Sequence, residues 1–388
     1  MEFVIYFQTK INKKCRKVKA KKLLKILNRL AERFDFRIYP DNSIFALQFF
    51  PSAYMYIELI NGEIIGSAPI IYHGPGFHNF LCLFIDLLSK RLKLKFTVDD
   101  ETGYYLNRDY SKLEEIYLLA LERLLKSGID NRGGCILAWP YPNWHPEPVS
   151  GFVIAPLGRW HQEELKVILE EGLLREFSRD FFLWPHLRKD EYFYRNLGTY
   201  LLWTEFSWTS PRLPEEENLV LKILESFQRA KLINPNINYP EAGIKEVKMI
   251  LSEEKPIRSN FGFRKGNLIH LLANDWVLTL PGFFLPEREK DSLIFWGDDR
   301  SLRFTSSIDR RVLDEEGFEV VYRFDINDCS YQGKQYYFEA EKYYYLEGII
   351  DSKTDQASLT ITWKKEEDLK WALDSFLKIR KKQININY

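Results

Sequence analysis

Cysteine is scarce: four residues in 388, at positions 15, 82, 135 and 329, with no CxxC pair. Such wide spacing speaks against a disulfide framework or a cysteine-built zinc site. Charge of either sign is not in excess. Lys plus Arg and Asp plus Glu each number 55, for a formal charge of zero. A whole-chain nucleic-acid binder carries a basic excess, so nucleic acid is a disfavoured partner. Long apolar runs are also missing; none reaches about 18 residues, so no membrane span or membrane partner is expected. The opening Met1–Phe7 lacks a basic stretch followed by a long apolar one, which is not a signal peptide. Cytoplasm is the expected compartment. The phosphate-binding patterns GxxxxGK[ST] and GxGxxG are absent, as are HExxH and GxSxG.

What is abundant is aromatic. Phe, Tyr and Trp make up 15%, including ten Trp and 22 Tyr. Most large rings fill cores, but some Tyr and Trp line binding surfaces, where they give contact area at low entropic cost. The length favours more than one domain. Periodicity predicts an α+β protein: an N-terminal mixed α/β layer domain over 1–130, an aromatic- and proline-rich connector and helical region over 131–255, and an antiparallel-sheet domain with a closing helix over 256–388. In the first part, a strand at 2–8 precedes a basic amphipathic helix within Lys10–Arg33. Runs at 44–50 and 54–60 lead to the hairpin signal Asn61-Gly62 and a partner strand over 64–71. Two helices follow, Asn79–Leu92 and Asp109–Lys126. In the connector, Trp139, Tyr141 and Trp144 stand among prolines and are the expected binding residues.

The last part carries Asp275–Leu280 followed by Pro281-Gly282-Phe283, then Ser292–Trp296, a late strand Ser358–Trp363, and a final helix with Trp371-Ala372-Leu373. In these features residues 260–384 resemble the PsbP/Mog1/DcrB-like α/β sandwich domains. The resemblance implies a largely non-catalytic domain that binds proteins as an adaptor or chaperone. It carries over no site residues.

Two clusters offer chemistry. The turn His73-Gly74-Pro75-Gly76-Phe77-His78 opens a helix, where free N–H groups and the dipole attract anions. Pro75 removes one of those donors, so the plainer reading is a tight turn that positions a core helix. Asp99-Asp100-Glu101-Thr102-Gly103 can bind a hard cation, but it lacks EF-hand spacing and reads more simply as an acidic loop. No metal or cofactor is expected from these patterns. If the protein is an enzyme, His73, His78, Asp99 and Asp100 are the candidate catalytic residues, provided the turn and the loop meet.

With no catalytic motif and balanced charge, the sequence is read as a non-catalytic intracellular protein-binding protein, such as an immunity or adaptor/chaperone-like protein, with another protein as its partner. The alternatives are a hydrolase or transferase using the N-terminal His/Asp cluster, and nucleic-acid binding through the basic helix.

Overall fold

The computed structural model describes residues 3–9, 19–252, 261–307, 320–326 and 329–382. It shows an α+β chain that divides into two compact units. The first comprises residues 1–140, 148–204 and 212–244; the second comprises 141–147, 205–211 and 245–388. Among the described residues no helix is long and apolar enough to cross a membrane.

The first unit starts with β1 (Val4–Thr9), α1 (Ala20–Phe34), β2 (Arg37–Asp41), β3 (Ile44–Phe50), β4 (Ala53–Ile60) and β5 (Glu63–Pro69). Helix α2 (Pro75–Leu92), strand β6 (Phe96–Asp100), the short α3 (Tyr104–Asn107) and α4 (Tyr110–Ile129) follow. The six strands form one antiparallel sheet in the order β2-β3-β4-β5-β1-β6. Strand alternation sorts its side chains. Ile5, Phe7, Phe45, Leu47, Met55, Ile57, Ile64 and Ala68 point to one face and are buried.

The helices cover that face. Phe49 of β3 meets Phe77, Phe80 and Phe84 of α2 at ring separations of 5.2–5.9 Å. Phe3 meets Tyr117 of α4 at 5.2 Å. Of these rings, each that is fully buried, such as Phe77 and Phe84, contributes roughly 1.5–3 kcal/mol. Helix α1 buries Leu23, Leu27 and Leu30 and leaves Lys21, Lys22, Lys25 and Arg29 exposed, as an amphipathic stripe requires. Of the basic segment expected from Lys10, residues 10–18 lie outside the described residues. Asp109 caps α4, accepting a hydrogen bond from the Lys112 amide at 3.1 Å.

Past β7 (Cys135–Ile136), the chain contributes β8 (Trp144–Pro146) to the second unit. It then returns through β9 (Phe152–Ala155), β10 (Gly158–His161), α5 (Gln162–Glu170), α6 (Leu174–Phe181), α7 (Glu191–Tyr200) and α8 (Pro214–Ile233). Helix α9 (Glu241–Leu251) leads into the remainder.

The second unit holds two antiparallel sheets. One has the order β20-β12-β11-β8, with β11 (Asn267–Leu271) and β12 (Trp276–Pro281) at its centre. The other runs through seven strands: β13 (Leu285–Glu289), β14 (Ser292–Gly297), β15 (Arg300–Ser307), β16 (Val320–Ile326), β17 (Cys329–Phe338), β18 (Tyr343–Asp351) and β19 (Gln356–Trp363). Helix α10 (Leu369–Leu377) and β20 (Arg380–Lys381) close the chain. Trp276, Phe295, Trp363 and Phe376 centre this core.

Candidate functional site

The candidate residues lie in the first unit, where α2, β6 and α4 converge. Helical spacing places His78, Cys82 and Asp86 at i, i+4 and i+8 on one stripe of α2. Strand alternation in β6 turns Phe96, Val98 and Asp100 toward the helices and leaves Thr97 and Asp99 exposed. Asp100 is therefore the carboxylate that meets the helix, and Asp99 is not.

His78 Nε2 lies 3.2 Å from Asp100 Oδ2, with both side chains almost wholly buried. On the other side of the ring, Nδ1 is 3.3 Å from the Tyr117 hydroxyl. Asp100 is held firmly. Its Oδ1 accepts from the Thr102 amide at 3.0 Å and the Thr102 hydroxyl at 2.7 Å, and its Oδ2 accepts from the Tyr105 amide at 2.7 Å. Burial raises the Asp100 pKa, but the His78 imidazole and these hydrogen bonds outweigh it and bring the carboxyl down to about 2. Cys82 is fully buried, and burial, followed by the Asp100 charge, pushes its thiol up. It is a neutral thiol rather than a nucleophile. Burial likewise raises Tyr117 well above its ordinary value.

A polar belt surrounds the pair. Tyr104 donates to Asn79 at 2.7 Å, and Tyr105 and Arg108 both donate to Asp86 at 2.8 Å. Among the described residues, His78, Cys82 and Asp100 are the His, Cys and carboxylate donors close enough to share one cation.

His73 goes elsewhere. Its Nε2 lies 3.3 Å from Ser52 Oγ, which accepts from the Tyr200 hydroxyl at 2.7 Å and donates to the Pro51 carbonyl at 2.5 Å. With the serine proton already committed to Pro51, the imidazole must donate through Nε2–H. That leaves Nδ1 bare, and it has no partner among the described residues. Burial lowers the His73 pKa to about 3. In this arrangement the Ser52 hydroxyl is turned to the Pro51 carbonyl rather than to His73. They line a small crevice with Tyr72, Pro140, Leu183 and Tyr200.

The glycine turn is filled by protein. Gly74 has φ +93°, the left-handed region that glycine adopts without strain. Gly76 donates its amide to the Trp184 carbonyl at 3.1 Å, and the Trp184 amide donates to the His73 carbonyl at 2.8 Å. A Cβ on Gly76 would lie 2.1 Å from Trp184 Cδ1 and 2.2 Å from the His186 carbonyl oxygen. An anion cradle needs those amides free; here the turn is a docking joint.

The connector aromatics divide between the units. Trp139 is half-buried in the first. Tyr141 and Trp144 stack at 4.8 Å in the second, where Trp144 is buried and Arg264 sits 4.9 Å above its ring. The Tyr141 hydroxyl donates to Glu205. Trp144 is therefore packed inside the unit, because β8 pairs with β11 there.

Sequence reasoning missed the Tyr117 and Cys82 contributions to the His78 cluster. The i, i+4 spacing of His78 and Cys82 was the available signal. No family model matches this chain, and no curated protein matches it.

Proposed function

We propose that the protein binds another protein without catalysis, through the open face of the six-stranded sheet in its first unit. The carrying observation is a row of tyrosines. Pairing aligns Tyr39, Ala46, Tyr56, Ser67, Tyr6 and Asp99 across all six strands. Tyr6, Tyr39 and Tyr56 are 51%, 47% and 44% exposed, and Ile44 and Ile65 flank them in the next row. Water gains nothing from such rings, whereas a partner gains rigid contact area with few rotamers to freeze. The adjacent row on the same face braces it: Tyr39 donates to Gln48 at 3.0 Å and Gln48 donates to Tyr54 at 2.7 Å.

The charges on this face select the partner. Among the described strand residues of this face, Asp41, Glu58, Glu63 and Asp99 are carboxylates, against the guanidinium of Arg37. Phosphate would be repelled. A polypeptide rich in lysine or arginine suits both the carboxylates and the tyrosine faces, which attract cations. Masking or escorting such a partner is what an immunity or adaptor/chaperone-like protein does.

A photo-cross-linking residue at position 56 should trap a basic polypeptide in cell extract. The same group at the exposed Leu83 of α2 should not. Combining Tyr6→Ser with Tyr39→Ser should cut the yield at position 56 by about tenfold, one to two anchor residues' worth. Equal trapping from both positions, or a nucleic-acid adduct, would overturn the reading.

A further inference from the structure

We infer that His78, Cys82 and Asp100 form a buried site for one zinc-class divalent ion. Their donor atoms all lie within 4.8 Å of one another. Tetrahedral zinc holds nitrogen, oxygen and sulfur at about 2.0–2.3 Å, which puts donors roughly 3.3–3.7 Å apart. The 3.2 Å between His78 Nε2 and Asp100 Oδ2 already stands near that spacing. The Cys82 thiol, within 4.8 Å of both, is the third donor, and it must close by about 1 Å to reach that spacing.

A second observation points to a ligand. His78 is fully buried, yet its Nε2 makes no hydrogen bond of ordinary geometry, although a carboxylate oxygen is 3.2 Å away. The two atoms are near each other without being aimed at each other. Donors that face a common point have this arrangement, and a buried nitrogen left without a bond is otherwise costly.

The far side of each polar donor is anchored as metal ligands are. Nδ1 of His78 has the Tyr117 hydroxyl, which fixes the ring and leaves Nε2 for the ion. Asp100 is fixed by Thr102 and the Tyr105 amide. His78 and Cys82 are one turn apart on a long helix, so their spacing is rigid. Charge also balances. A thiolate and a carboxylate with a neutral imidazole cancel a divalent cation, and a neutral assembly is the kind a buried position tolerates. The thiol gives up its proton to solvent as the ion enters. Thiolate and imidazole select zinc or cobalt over magnesium or calcium, which take oxygen donors. The inference is independent of the proposed binding face, because none of the three donors lies on it.

The test uses the full chain, stripped with chelator and titrated with Co²⁺. Expected are about one ion per chain, a thiolate-to-cobalt charge-transfer band, and loss of that band when Zn²⁺ is added. Cys82→Ser should abolish the band. Tyr117→Phe, which keeps all three donors, should weaken binding by about tenfold or more. No band with the folded parent would overturn the inference. So would a band that survives in Cys82→Ser, which would assign the ion to another cysteine.

Discussion

The neutral burial of His73 predicts a particular loss of stability in mild acid. The ring is 4% exposed, and its pKa is lowered to about 3, against 6.5 for the unhindered group. Above pH 6.5 both folded and unfolded chains carry the neutral ring, and His73 makes no contribution to pH dependence. Below 6.5 the unfolded chain takes up a proton that the folded chain refuses. Stability therefore falls as pH drops, by about 1.4 kcal/mol per pH unit, until the folded ring titrates near 3. Between pH 7 and pH 5 the loss amounts to about 2 kcal/mol. His73→Gln keeps a hydrogen-bond donor for Ser52 but cannot titrate. The variant starts less stable at pH 7 from imperfect packing. It should then lose about 2 kcal/mol less than the parent by pH 5 in urea unfolding followed by tryptophan fluorescence. An NMR titration of the parent should show no protonation step for His73 between pH 8 and 5. Parallel stability curves for parent and variant, or a His73 step near 6.5, would refute the reasoning.

The turn beside it yields a second expectation. Gly76→Ala should cost about 1–3 kcal/mol in thermal or urea unfolding, because the methyl meets Trp184 and the His186 carbonyl rather than a forbidden φ. Cys82 should react with a thiol reagent only as fast as the unit opens, since the sulfur is fully buried; fast native labelling would contradict its placement. Reversing the exposed Lys21 and Lys25 on α1 should leave stability within about 0.5 kcal/mol of the parent and should not remove sub-micromolar DNA binding, because none is expected; such binding, measured by anisotropy at physiological salt and lost on reversal, would restore the nucleic-acid reading.

Much of the fold was legible. Asn61 and Gly62 both adopt positive φ, at 51° and 85°, as the hairpin dipeptide requires between β4 and β5. The stripe of Leu113, Tyr117, Ala120 and Leu121 is the buried face of α4. The site was half legible. Both histidines and both aspartates were in view, but the choice of His78 with Asp100 depends on which residues of β6 point inward. The inward Phe96 and Val98 carry that information only once the strand's bounds are known. The tyrosine face was hidden for a different reason. It arises from β1 lying between β5 and β6, a pairing of distant segments that no local pattern encodes. The burial of Trp144 was not legible because a three-residue strand among prolines has no periodicity to read.

That short strand has a consequence for synthesis. β8 leaves the ribosome roughly 120 residues before its partner β11, a wait on the order of ten seconds at ordinary elongation rates. Throughout that interval Trp144 and its neighbours have no sheet to join, while the first unit's six strands are already complete. The second unit therefore matures only once β11 has emerged, and a nascent chain stalled before residue 267 presents an unpaired aromatic strand to chaperones.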